Sequence, residues 1–193
     1  ISGSKIVLGD SFKSSFLEKP IKKISIIKTN LAINLNKKNN NFLMLDGLYN
    51  LGGIENKKFK ISYDLSKKKP KHLISFDLSE NIILKFINFK SNYKKGSNIE
   101  SEINFTKNNI IFNYIKFTEG KNLIYLDNIK LNDKNELKSI SDIKVHTFDK
   151  NKENNNFKIS FRKKIIVNGN KYDATHLLTQ LSSDSNANPL KNY

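Results

Sequence analysis

The run Phe59-Lys60-Ile61-Ser62-Tyr63-Asp64-Leu65 decides the fold. Apolar side chains occupy every second position, and Lys60, Ser62 and Asp64 fill the gaps. An extended strand turns successive side chains to opposite faces, so this spelling makes one greasy face and one wet face. The same alternation predicts strands over residues 24–28, 31–35, 42–49, 59–65, 73–78, 82–89, 99–105, 109–114, 123–129, 140–145, 157–161 and 165–167. Turn formers separate them: KKNNN at 37–41, LGGIEN at 51–56, KKKPK at 67–71, KKGSN at 94–98, KNN at 107–109, EGKN at 119–122 and DKNKENNN at 149–156. Asn, Gly and Asp tolerate the left-handed conformations that tight hairpins require. The expectation is an all-β chain, an extended antiparallel meander forming a curled one-sided sheet or groove, with one short helix near the C-terminus. FLML at 42–45 and IILKFINF at 82–89 are apolar on both parities, so these strands should be covered on both faces or lie where the sheet curls.

Four stretches follow from this reading. Residues 1–23 form an irregular lead-in strand, 24–172 the sheet or groove, 173–182 a short helix and 183–193 a polar tail or linker. Asp173 is the predicted N-cap of the helix, with Leu177, Leu178 and Leu181 on one face. The chain of 193 residues opens on Ile1 and holds a single methionine, Met44, which leads us to expect a piece of a longer protein.

Charge excludes less than it first suggests. The net charge is +16, yet of the 34 basic residues only Arg162 is an arginine. Arginine is the side chain that reads guanine edges and grips phosphates bidentately. The lysines run through the whole chain together with Asn and Ile, as codon choice in a genome rich in A and T would produce, and no nucleic-acid partner is expected. A cationic surface is still attracted to anionic lipid headgroups. LKFINFKSNYKK at 84–95 interleaves aromatics with lysine as a single-strand nucleic-acid surface does, but phenylalanine in strands more often builds core.

Catalytic and metal chemistry find no footing. Cysteine is absent, which removes disulfides, thiolate zinc sites and thiol nucleophiles. His72, His146 and His176 stand alone, without the convergent donors that a metal demands. There is no nucleophile elbow and no Gly-rich phosphate loop. The expected protein is not an enzyme and has no catalytic residues, metal or cofactor.

Something must cover the greasy face. Helices are too few, and runs of roughly 5–8 residues fall short of the 9–11 that a membrane-spanning barrel strand uses. Closure into a barrel, a dry sandwich and a sheet lined by acyl chains remain. The candidate inward residues are Phe59, Ile61, Tyr63, Leu65, Ile103, Phe105, Phe112, Tyr114, Phe157, Ile159 and Phe161.

The stretch IIVNGNKYDATHLLTQLSS at 165–183 resembles a recurring element of the AsmA-like family of large bacterial envelope proteins (YhdP-type, bridge-like lipid transfer). In that element a strand and a Gly lead to an Asp-Ala-x-x-Leu-Leu helix start, matched by Gly169, Asp173, Ala174, Leu177 and Leu178. His176 stands where the family often has proline. DGLYNLGGIENKKFKISYDLS at 46–66 and FTEGKNLIYLDNIKLND at 117–133 are similar to the family's strand, Gly-containing turn, strand pattern. The resemblance, covering about 45–181, implies an internal or C-terminal segment of a periplasmic β-groove that binds or conducts phospholipid acyl chains between membranes. It also implies a place in outer membrane biogenesis. The partners it implies are neighbouring segments of the same longer chain, with inner-membrane anchorage and membrane contact through parts outside these residues. Left open are a dry-packed structural or adhesive β-sandwich and a cationic nucleic-acid-binding β module.

Overall fold

A computed structural model describes residues 2–12, 16–18, 20–35, 41–52, 55–65, 71–176 and 178–179, with backbone alone over 2–12. The chain builds one antiparallel sheet of twelve strands, not closed into a barrel. In chain order these are β1 (Ser2–Phe12), β2 (Ile21–Asn34), β3 (Phe42–Asn50), β4 (Lys57–Asp64) and β5 (His72–Asp77). Then come β8 (Asn98–Thr106), β9 (Asn109–Glu119), β10 (Asn122–Asn132), β11 (Leu137–Ser139), β12 (Asp142–Asp149), β13 (Lys152–Phe161) and β14 (Ile165–Lys171). Each strand pairs with the next in a meander, except that β10 pairs with both β11 and β12. Between β5 and β8 the chain leaves the sheet. There, β6 (Ile83–Leu84) and β7 (Phe89–Lys90) pair with each other, and two 3-10 turns, Lys85–Ile87 and Tyr93–Lys95, complete a strap.

Register sorts the faces. Gly47, Phe59, Phe76, Ile99, Phe117, Ile124, Val145, Phe157 and Gly169 stand opposite one another in turn, a single row across nine strands. The next row runs Leu45, Ile61, Ile74, Ser101, Ile115, Leu126, Ile143, Ile159 and Val167. We call the side these rows occupy the inner face. The outer face carries Lys60, Glu100, Lys116, Lys144 and Lys158, with ion pairs Lys116–Glu100 at 3.5 Å and Lys158–Asp142 at 3.1 Å. Much of the charge is therefore a solvated wet face.

The strap is where the structure departs most from the expectation of a strand over 82–89. IILKFINF is apolar on both parities because it folds across the inner face instead of joining the ladder. Ile87 is wholly buried and Phe89 4% exposed, packed with Leu78 against Phe117, Ile124, Val145 and Phe157. Phe89 meets Phe117 edge-to-face at 5.7 Å. Asn88 closes the first 3-10 turn with φ 47, a left-handed conformation that Asn tolerates. Burying one such side chain stabilises by about 1.5–3 kcal/mol.

Polar side chains from the sheet satisfy the strap's backbone, which burial makes obligatory. Asn155, fully buried, donates to the Ile87 carbonyl at 2.8 Å and to Thr147 Oγ1 at 3.0 Å. Glu119 accepts from the Asn92 amide at 2.7 Å and from Ser97 Oγ at 2.6 Å.

Local irregularities reshape the remaining expectations. The two strands expected at 24–28 and 31–35 are one, β2, continuous through a register shift between Ile26 and Lys28. A Cβ on Gly47 would collide with the Lys28 carbonyl, so this bulge requires glycine there. Gly169 is needed in the same way against Asn156 and Phe157 at the other end of the row. The turn expected at 149–156 shrinks to Lys150 and Asn151, both with positive φ, and ENNN continues β13. Of the predicted helix, Thr175, His176, Leu178 and Thr179 are helical, while Leu177, Leu181 and the tail fall outside the described residues.

Replacing Ile87 with Ala should lower unfolding free energy by about 2–5 kcal/mol. The neighbouring Phe86, 51% exposed, should cost under about 1 kcal/mol when made Ala. Urea denaturation of both variants tests this, and equal losses would show that the strap is not the core.

Candidate functional site

A cleft of about 650 Å3 lies between the strap and the first half of the sheet. Its floor is the inner face of β2–β5: Ile26, Leu45, Tyr49, Phe59, Ile61, Ile74 and Phe76. Its walls are Leu78, Ser79, Glu80 and Ile82, where the chain enters the strap, and a short segment at Phe16–Leu17. That segment is held to the strap by the Leu17–Ile82 bridge and by the Ile83 amide, which donates to the Phe16 carbonyl at 2.9 Å. Besides apolar side chains only the Tyr49 phenol, Ser79 and Glu80 line it.

Tyr49 does not offer its hydroxyl to the cleft. It donates to the Asp77 carbonyl at 2.6 Å, and its ring meets Phe59 edge-on at 6.4 Å. Burial pushes its phenol from 10.0 up to about 12, with the Asp77 carboxylate adding to the rise and Ser79 opposing it. The cleft thus presents hydrocarbon, with its one phenol already satisfied.

The candidate inward residues separate into groups. Phe59 and Ile61 line the cleft. Tyr63 continues the same face and packs on His72 at 4.6 Å, which meets Phe105 at 5.0 Å. His72 is therefore part of an aromatic strip on the inner face. Ile103, 8% exposed, stands opposite Phe112 on that face, and Phe105 beyond it is 61% exposed. Leu65 lies just past the end of β4 and is 39% exposed. Phe157 and Ile159 line a second cleft, of about 490 Å3, on the other side of the strap with Phe86, Val167 and Tyr172. Phe161 shares their parity on β13 and is half-buried.

Tyr114 is on the wrong side. Strict alternation puts it with Phe112, but the β8–β9 register shifts after Ile103–Phe112 and Glu102 pairs with Tyr114. The extra residue, Asn113, inverts the phase, and Tyr114 stacks on Tyr125 of the outer face at 5.9 Å. Asn113 donates to the Glu102 carboxylate, which also holds Lys71 at 2.6 Å.

Sequence reasoning missed Ile26, Leu45, Ile74 and Phe76, although ISF at 74–76 carries the alternation that could have found the last two. For Phe16 and Leu17 no local signal exists, because their place depends on the strap.

The motif residues near the C-terminus have structural work. The Asp173 carboxylate accepts from the Thr175 amide at 3.1 Å and hydroxyl at 2.6 Å, capping the helical turn. Its other oxygen accepts from Asn88 of the strap at 2.9 Å, and its amide donates to Asn155 at 2.9 Å. Thr175 first and Asn88 second hold this carboxyl below the ordinary aspartate value. Ala174 accepts the Leu178 amide at 2.9 Å, and the Leu178 side chain is 63% exposed. Leu177 lies outside the described residues.

Among the described residues no group of three His, Cys, Asp or Glu side chains could hold a metal. Comparison with protein-family models, curated proteins and solved structures finds no match.

The neutral Tyr49 phenol is the favoured folded form, so its contribution is complete below the ordinary value near 10 and is lost as pH rises toward about 12. Alkaline unfolding of the parent should steepen across that window, and Tyr49→Phe should flatten it. Identical profiles would remove Tyr49 from the cleft's buried wall.

Proposed function

We propose that this chain is a non-enzymatic lipid-holding segment of AsmA-like type, binding phospholipid acyl chains on the inner face of its sheet. The observation that carries this is the cleft of about 650 Å3, floored by two apolar rows and free of any unsatisfied phenol. Methylenes moved there from water gain about 0.8 kcal/mol each, and no directional contact is needed. Gly169 and Asp173 also support the reading. The first permits close approach of β14, and the second caps the helical turn and ties down the strap, so the motif that carries the family resemblance is explained as architecture. A place in the periplasm, and neighbouring segments of a longer chain as partners, rest on the resemblance.

The strap modifies the mechanism. It crosses the inner face and separates the cleft from the smaller one beside Phe157, so lipid is held beneath β2–β5 rather than passing freely along the whole sheet. The dry core under the strap favours a purely structural role for that half of the sheet.

Native mass spectrometry with lipid extraction, on protein expressed into a bacterial periplasm and purified gently, tests the proposal. Phospholipid in reproducible stoichiometry is expected, and Ile61→Asp or Ile74→Asp should cut occupancy at least about tenfold, because a carboxylate in hydrocarbon is strongly disfavoured. A lipid-free parent, or undiminished lipid in folded variants, would move the assignment to a dry structural β protein.

A further inference from the structure

We infer that the end of the sheet opposite the strap docks on the surface of an anionic lipid bilayer. The strap and the Phe16–Leu17 segment both rise from one end of the strands, where the 50–57 and 119–122 turns also lie. At the other end, where β2, β8 and β13 finish, the inner face carries no cover among the described residues. Leu31, Ile33 and Leu35 there are 57%, 56% and 73% exposed, and Phe105, Leu137 and Ile165 are 61%, 62% and 69% exposed. These side chains are spread from β2 to β14. Successive strands lie about 4.8 Å apart, so they mark out an apolar rim roughly 43 Å long.

The turns of the same end are basic. Lys107, Lys134, Lys138, Arg162, Lys163 and Lys164 are all exposed there, and none of them is in an ion pair among the described residues. Asp133 and Glu136 are the exposed acids among them, and Glu136 accepts from Asn132 at 2.8 Å. The strap end is mixed instead, with Glu18, Glu55, Glu153 and Asp173 set among its lysines. Large apolar side chains beside cations that outnumber the neighbouring acids are what a peripheral membrane surface requires. The apolar groups enter the headgroup–acyl boundary, and the lysines meet the anionic headgroups. The basic charge of this row selects a negative surface.

This docking uses residues outside the cleft and stands whether or not the cleft holds lipid. The test is co-sedimentation of the full chain with vesicles of mixed phosphatidylglycerol and phosphatidylcholine, and with vesicles of phosphatidylcholine alone. Binding to the mixed vesicles should be at least about tenfold tighter and should fall as salt rises. Lys163→Glu with Lys164→Glu should lose about tenfold or more, as should Phe105→Ser with Leu137→Ser. Phe86→Ser, at the strap end, should bind like the parent. Circular dichroism confirms that each variant is folded. Equal binding to both vesicle types, no binding to either, or rim variants that bind like the parent would overturn the assignment.

Discussion

Everything in this molecule depends on the contact between the strap and the sheet. A single antiparallel layer with one apolar face cannot be stable alone, because nothing removes that face from water. Here Ile87 and Phe89 press onto Phe117, Ile124, Val145 and Phe157, supplying a second layer from the sheet's own connection. The contact brings backbone groups of the strap into a dry place, and each then needs a partner. Asn155 and Glu119 meet that demand, which explains polar side chains that are fully or almost fully buried in an otherwise apolar region.

The strap also decides where hydrocarbon remains accessible. It spans the middle of the inner face from the strap end, with Tyr172 donating to the Phe86 carbonyl at 2.7 Å and Asp173 holding Asn88. On one side is the larger cleft over β2–β5, and on the other the smaller one beside β13 and β14. At the far end of the strands no described residue covers the face. A trough read from alternation alone would be uniform along its length. The folded chain is compartmented, and the lipid-holding reading is accordingly local to one compartment.

Charge follows the same geometry. On the outer face Lys116 and Lys158 pair with Glu100 and Asp142, surface contacts that contribute little to stability while the row of lysines keeps the face wet. At the strap-free end the exposed basic side chains outnumber the exposed acids, Asp133 and Glu136. The same excess of lysine is thus partly paired in one place and outnumbers the acids in another. Composition cannot express that difference, since it gives the net charge and not its arrangement.

The sequence by itself determined the all-β class, the antiparallel meander, most strand positions and the face on which Phe59, Ile61, Tyr63, Ile103, Phe105 and Phe157 lie. Side-chain alternation is a local, two-residue property and survives wherever the ladder is regular. It misplaced Tyr114 because one bulge residue, Asn113, inverts the phase without changing the composition. Asn tolerates the left-handed backbone seen at Asn128 on the adjoining strand, yet nothing local announces which Asn bulges. The 82–89 run was legible as doubly covered but not as a strap, since a short apolar segment is equally suited to a central strand and to a plug. Only the tertiary structure decided that, because the choice depends on partners 30 to 70 residues away, Phe117, Val145 and Phe157, whose row exists only once the sheet has formed.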